Sequence, residues 1–578
     1  MADSLDNLRH STAHLLAAAV IKLFPKAQPT IGPVIENGFY YDFDNLTISN
    51  EDLPKIEEEM KRLVKTWKTF EKIEVSASEA KKIFKDNPYK LELVRELEDK
   101  GEKITLYESG KFLDLCRGGH IDDAKKIKYF KLLNLAGAYW RGSEKNKMLT
   151  RIYGTAFPTQ EELDNYISLQ EEAKKRNHRK LGKELDLFTF SDLVGAGLPL
   201  YTPKGALLRR LINEYVESVQ VKEDYTQVWT PQISKAELFK ISGHYDKYKN
   251  LMFKVISNYS DEEFFLKPMN CPQHTQIYAS KSRSYRDLPI RLTDFAMLYR
   301  DEKPGELSGL ARVRAFSQDD CHIFCMENQV DEEVDKALAM IKEILKTFGL
   351  SYRYRLSIRD PKHPEKYIGD PKTWDKVEKW AERIMKRNKI DYFDAPGEAT
   401  FYAPKMDLMA TDSLGREWQL STVQIDFFLP ERFKLTYIDK DGKEKRPVMI
   451  HRAIIGSPER FLMILIEHFG GNFPTWLIPV QVKVLPITDK QLEYAKSVVK
   501  KLKEANVRVE LDDRNETLQG KIRDATIEKV GYMLIIGDKE VKTKTVTERA
   551  RSGKPDGPFS IETFIDNIRK EIDEKIIN

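Results

Sequence analysis

The rhythm of the chain changes at NFPTWLIP (472–479), and that break limits the fold more than any other feature. Downstream, strand-like runs at QVKVLPIT, VRVELDD and GYMLIIGD alternate with helical runs at 489–505, near 517–529 and at 560–575. Such alternation over about 100 residues predicts a compact α/β domain of βαβαβ type. Upstream, the runs TQVWTPQI, PIRLTDFAMLYR, ATFYAPKMDLMAT and REWQLSTVQIDFFL do not alternate with helices, which are expected at 205–219 and 457–469. That predicts a large antiparallel sheet in place of a doubly wound one. One sheet architecture therefore cannot account for all 578 residues, and the length implies roughly three or four domains.

The N-terminal block reads as α+β. An amphipathic helix is expected over 4–24, ended by Pro25, followed by the aromatic strand GFYYDF (38–43), charged helices near 51–67 and 77–86, and strands at KITLYES and KMLTRIYG. Residues 159–183 are helical by propensity and dense in charge, which favours a solvated connecting helix. The basic end of that segment (Lys174, Lys175, Arg176, His178, Arg179, Lys180) leaves an RNA-binding arm as the other reading. The expected boundaries are 1–158, 159–183, 184–474 and 475–578.

Lys plus Arg total 95 against 91 acidic residues, a net charge of +4, so charge alone neither demands nor excludes nucleic acid. The four cysteines are too few for a disulfide framework and fit a reduced compartment. The start, MADSLDNLRHSTAH, lacks a basic segment leading into an apolar core, and no run approaches the ~20 apolar residues of a membrane span. A cytoplasmic protein without a membrane partner is the expectation.

Histidine and cysteine carry the first chemical signal. His10 and His14 are four residues apart on the first expected helix and so share a face. Asp114-Leu-Cys116-Arg-Gly-Gly-His120 follows in the same domain, and the HxxxH and CxxxH pairs offer four zinc-type ligands. Taken separately, each pair is more often a core or cap feature. In the central block, two strand-like runs joined by a loop bring Arg300, Glu302, Arg312, Arg314 and Gln318 near one another, and arginines on strands suit phosphate. A salt-bridged exposed hairpin has the same composition. Gly456-Ser457-Pro458-Glu459 opens a helix with a small N-cap and an early proline, and Arg460 projects from its first turn, where an anion is favoured. Neither GxxxxGK[ST] nor a GxGxxG opening a helix is present, which disfavours an ordinary P-loop or Rossmann site.

YRDE (299–302) with its following loop and RAF, and the Gly-rich turn into Glu459-Arg460, resemble motifs two and three of class II aminoacyl-tRNA synthetases. The helix at 205–219 leading to TPQI, with Pro231, resembles motif one. Around them, KPMNCP (267–272), RVRAFSQDDCHIF (312–324), FYAPK (401–405), WQLSTVQIDF (418–427) and VMIHRA (448–453) resemble the threonyl-tRNA synthetase family over essentially the whole chain. HSTAH, IGPVIENGFYYDF and CRGGH resemble that family's editing domain, and the C-terminal block its anticodon-binding domain. The family's small ubiquitin-like N-terminal domain has no counterpart in the sequence.

The resemblance implies an antiparallel class II catalytic core, ATP with Mg2+, L-threonine and threonine tRNA as partners, and a homodimer. By position, it gives Arg300 the α-phosphate and Arg460 the γ-phosphate, with Glu302 and Phe316 at the adenine. Arg312, Gln318, Gln419, Thr422 and Ser457 complete the ATP set. Met269, Asp320, Tyr402 and Gln424 fall to threonine, Lys405 to the reacting end and His244 to acyl transfer. Cys271, His322 and His451 match the zinc ligands, while Cys321 and Cys325 read as core. Tyr41, Lys90 and Asp114 join His10, His14, Cys116 and His120 as editing residues, for which the resemblance favours a metal-free hydrolytic pocket over zinc. Asn515, Glu540 and Arg549 match positions that read the anticodon. A synthetase-like protein without catalysis, or a hydrolase of mischarged tRNA alone, would leave the ATP motifs or the zinc ligands unexplained.

Overall fold

The computed structural model describes residues 4–577 apart from 552 and 554. Two units form, residues 1–171 and 172–578.

In the first unit, the Ser4 hydroxyl accepts the Asn7 amide at 3.2 Å and starts the helix Leu5–Leu23. Every residue from Ser11 to Val20 is buried, so this helix is central to its unit instead of amphipathic as expected. It packs on the strands Gly38–Asp44 and Met148–Phe157 and on the helix Leu53–Leu63. The main sheet runs Gln28–Pro29, Gly38–Asp44, Met148–Phe157, Tyr129–Tyr139, and a second sheet joins Glu71–Val75, Ile104–Ser109 and Phe112–Leu115. The helix Pro88–Asp99, absent from the sequence expectation, opens at Asn87, whose side chain accepts the amides of Tyr89 and Lys90.

The segment expected to be one connecting helix is two, Gln160–Arg176 and His178–Glu184, because the Asn177 side chain accepts the Arg179 amide at 3.0 Å and starts a new helix. Part of its basic end is spent on protein: Arg176 donates to Ser413 Oγ and the His468 carbonyl.

The second unit centres on an eight-stranded sheet in the order Thr226–Gln227, Ile290–Tyr299, Ala315–Cys325, Val448–Ala453, Glu417–Asp426, Lys405–Thr411, Ser351–Ile358, Tyr392–Pro396. Its pairings are antiparallel except at the two edges. Side chains alternate between faces. Cys321, Ile323, Cys325, Ile450, Val423, Ile425, Met406 and Leu408 therefore point to one side and enter the main core. The helix Val330–Thr347 covers that side with Val334, Leu338, Ile341 and Leu345 at helical spacing, each worth about 1.5–3 kcal/mol when fully buried. The opposite face is left for chemistry. The helix Pro203–Lys222 buries Leu208, Ile212, Val216 and Val219. At its first turn, a Cβ on Gly205 would lie 1.8 Å from the Leu187 carbonyl oxygen, so only glycine permits that approach.

In the C-terminal region the strands Val509–Leu511, Val482–Pro486 and Tyr532–Ile536 are parallel, as alternation predicts. An antiparallel pair, Thr545–Ala550 and Pro555–Ser560, extends the sheet beyond that expectation. No helix of the described residues is long and apolar enough to cross a membrane.

Candidate active site

Cross-strand register, not sequence distance, builds the central site. In one row across the sheet, His322 pairs with His451, His451 with Gln424, and Gln424 with Lys405. Two residues along each strand on the same face lie Asp320, Ala453 and Thr422. Cys271 opens the helix Cys271–Ala279. The donor atoms of Cys271, His322 and His451 lie within 4.8 Å of one another, all buried. His322 Nε2 and His451 Nδ1 face each other at 3.0 Å. Their other ring nitrogens are engaged: His322 Nδ1 meets His274 Nδ1 at 2.8 Å, and His451 Nε2 meets Asp426 Oδ2 at 2.9 Å. Two imidazoles presenting nitrogens to a shared point, each braced from behind, beside a buried thiol, have the composition that a three-ligand zinc site uses. Burial pushes the Cys271 thiol up and the His322 imidazole well down.

A cavity of about 440 Å³ opens beside this cluster. Arg300, Glu302, Arg312, Phe316, Gln318, Gln419, Thr422, Ser457 and Arg460 all line it, as do Met269, Tyr402, Lys405 and Gln424. The Arg300 guanidinium sits 5.1 Å from the Phe316 ring centre, and its buried Nε has no partner. Arg312 donates to Glu302 at 2.8 Å and pairs with Glu306 at 2.9 Å. Ser457 caps the helix Pro458–His468 by accepting the Arg460 amide. Arg460 Nε donates to the Ala311 carbonyl at 3.2 Å. Burial, then the charges of Arg300 and Arg312, lower the proton affinity of the Arg460 guanidinium. Gln419 is held between Asp407 at 3.0 Å and Arg355 at 2.9 Å, and Lys405 lies 3.4 Å from Asp407. The buried Gln424 Oε1 has no partner. Burial, with Asp294 and Asp319 adding, raises the Asp320 carboxyl to about 8.

His244 does not line the cavity. It is fully buried against the Phe401 and Tyr402 rings, with Nε2 3.5 Å from Cys271 Sγ and Nδ1 2.8 Å from Ser242 Oγ. Burial takes its imidazole down to about 3. Cys321 lies on the opposite face from His322, where Arg452 donates to its sulfur at 2.7 Å.

The first unit gathers a second cluster. His10, His14, Cys116 and His120 bring their donor atoms within 4.8 Å of one another. His10 Nε2 is 3.0 Å and His120 Nε2 3.4 Å from Cys116 Sγ, and Ser11 Oγ meets His120 Nδ1 at 3.1 Å. Nearby, buried Lys90 pairs with Asp114 at 2.5 Å, and the Tyr41 hydroxyl donates to the same carboxylate. Burial raises the Cys116 thiol to about 11 and lowers His120 to about 2, so at neutral pH the thiol keeps its proton and the imidazole is uncharged.

In the C-terminal sheet, Asn515 and Glu540 follow the carboxyl ends of the parallel strands Val509–Leu511 and Tyr532–Ile536, whereas Arg549 pairs with Met533 nearer the other end. The two Glu540 oxygens accept from the Gly537 amide at 2.9 Å and the Thr547 hydroxyl at 2.8 Å, so its carboxylate is already engaged within the domain.

Sequence reasoning missed His274, Asp426 and Asp407. His274 falls three residues after Cys271 on a helix, and Asp426 two after Gln424 on a strand. Each therefore shares a face with a residue already singled out.

The family described as tRNA synthetase class II core domain (G, H, P, S and T) matches residues 253–469, and the anticodon binding domain matches 481–571. An antiparallel sheet with arginines converging on one face, followed by that second domain, makes this a class II aminoacyl-tRNA synthetase. Residues 104–153 match the threonyl and alanyl tRNA synthetase second additional domain. The threonine–tRNA ligase of Rubrobacter xylanophilus is 48% identical over 569 residues, 98% of this chain and 88% of that one. That of Geobacillus kaustophilus is 48% identical over 580 residues, covering 100% and 89%. A crystal structure of the RNA binding domain of threonyl-tRNA synthetase from Cryptosporidium parvum superposes with a TM-score of 0.65 at 39% identity, covering 68% of this chain and 98% of the other. The chain belongs to the threonyl-tRNA synthetases.

Proposed function

We propose that the chain activates threonine with ATP and passes it to threonine tRNA in the cavity beside Cys271, His322 and His451. The observation that carries this reading is the convergence of Arg300, Arg312 and Arg460 on one cavity whose far end meets a buried Cys/His donor cluster. Arg300 and Arg312 both disfavour a further charge on buried Arg460, and three guanidinium groups on one cavity call for a polyanion. Threonine's carboxylate attacks the α-phosphorus and the bond to pyrophosphate breaks. Arg300 and Arg460 hold charge that builds on the phosphates, Mg2+ enters with ATP, and Phe316 and Glu302 take the adenine. The tRNA's terminal hydroxyl then attacks the acyl carbonyl and AMP leaves.

Zinc held by Cys271, His322 and His451 would supply a Lewis acid for an amine and a β-hydroxyl. Asp320, Met269, Tyr402 and Gln424 surround that end, and the unpartnered Gln424 Oε1 gives the amino acid an acceptor. Valine matches threonine in size but brings no hydroxyl, and an apolar pocket alone separates such isosteres poorly. Threonine-dependent ATP–pyrophosphate exchange tests the reading. Arg460→Ala should lose about 10²–10³-fold in rate. Cys271→Ala should lose both its zinc and threonine activation. A zinc-free variant that still activates threonine and rejects valine would overturn the metal assignment.

Serine also carries an amine and a β-hydroxyl, and a missing methyl is worth only about 1–3 kcal/mol. The first unit is proposed to hydrolyse seryl-tRNA. Water attacks the ester carbonyl and the acyl bond to the ribose oxygen breaks. Water's proton passes through the neutral histidines to that leaving oxygen, and serine and tRNA are released, with Lys90, Asp114 and Tyr41 orienting the group. The four donors there have the composition zinc accepts, so metal content decides between two readings: one zinc per chain fits metal-free hydrolysis, and two would overturn it. Asn515, Glu540 and Arg549 are proposed at the anticodon, and a homodimer is proposed through the face that exposes Val221 and Trp229.

A further inference from the structure

His178 is buried in the connecting segment, yet it touches the loop that roofs the cavity. Glu467 Oε1 accepts from both the His178 backbone amide at 2.9 Å and ring Nδ1 at 2.6 Å. A carboxylate can only accept there, so Nδ1 carries the proton and Nε2 keeps its lone pair. That lone pair accepts the Leu310 amide at 3.2 Å. The next residue, Ala311, offers its carbonyl to Arg460 Nε at 3.2 Å, and Arg312 follows, bonded to Glu302. Glu467 and Arg460 lie seven residues apart, two turns along the helix Pro458–His468, so one helix reaches two neighbouring residues of the loop, Leu310 through His178 and Ala311 directly. Gly309 makes the approach possible: it sits at φ +51°, and a Cβ there would come within 2.1 Å of His178 Nε2.

We infer that His178 is a positioning residue for the ATP subsite: fixed in one tautomer by Glu467, it pins the 309–312 loop so that Arg460, Arg312 and Glu302 face the nucleotide. The inference rests on the reading of this cavity as the ATP site. Asparagine at 178 places its amide near the Nδ1 position and can still donate to Glu467, but offers nothing at Nε2. Glutamine places an acceptor near Nε2. ATP–pyrophosphate exchange with the full chain should therefore show KM for ATP rising about tenfold in His178→Asn, ~1.4 kcal/mol. His178→Gln should restore most of it, and KM for threonine and zinc content should stay unchanged in both. Gly309→Ala should reproduce the His178→Asn phenotype by pressing on the ring. Unchanged KM for ATP in His178→Asn, or KM for ATP and threonine rising together with a lowered Tm in both His178 variants, overturns the inference. Arg460→Ala separates the two layers: if it leaves both the exchange rate and KM for ATP unchanged, the ATP reading of the cavity fails, whereas an effect there with none at 178 refutes the positioning role alone.

Discussion

Asp426 and His274 act one atom behind the donor cluster, each bonded to the ring nitrogen that faces away from it. Such bracing fixes which nitrogen is free. In the first unit the corresponding work falls to Ser11, which holds His120 from behind and also accepts the Ile121 amide at 3.1 Å. Lys90 and Asp114 are a poor first choice for mutation, since removing one partner strands a buried charge at about 3–5 kcal/mol. His10 and Cys116 carry no such penalty. The double variant His10→Ala, Cys116→Ala should accumulate seryl-tRNA while charging threonine at the normal rate, as read by acid-gel separation of aminoacylated tRNA. Correct rejection of serine by that variant would remove the hydrolytic role from this cluster.

At the scale of elements, the helix Pro203–Lys222 comes closest to its neighbour at Gly205, whose backbone meets the Leu187 carbonyl. Gly205→Ala would drive a methyl into the Leu187 carbonyl, and since backbone meets backbone the helix itself must shift. Overpacking of that kind costs about 1–3 kcal/mol, so a lowered Tm is expected, with exchange activity falling as well because Arg209 on this helix donates to Ser317 and pairs with Glu459 at 3.1 Å. An unshifted Tm would show that the helix gives way freely. What could be read from sequence divides along the same lines. Periodicity located the parallel strands of the C-terminal domain and the helix at Arg460, because local spacing carries those signals. It misjudged Leu5–Leu23, since a helix buried on every side has no polar face to mark it. It passed over Pro88–Asp99 and Val330–Thr347. Cys271, His322 and His451 came only from resemblance, because the register that unites them spans 129 residues between the two histidines and leaves no local spacing.

For the whole molecule, Trp229 is 75% and Val221 68% exposed, both at the end of the motif-one segment. Large apolar side chains left in water are candidates for an association surface, and a twofold pair is the commonest closed solution. Trp229→Asp should shift the mass measured by light scattering at micromolar concentration from dimer to monomer. A monomeric mass for the unmodified chain with full activity would refute the dimer.

The donor cluster also dictates an order of events during synthesis and folding. No stretch of unfolded chain contains it: one donor sits on a helix and two on neighbouring strands, and a slip of one residue in either strand would turn a histidine to the apolar face. A metal ion that needs all three can settle only after the longest-range strand pairing at the centre of the sheet has closed in the right frame. Loading would thus depend on the fold itself, since a chain mispaired there no longer presents all three donors.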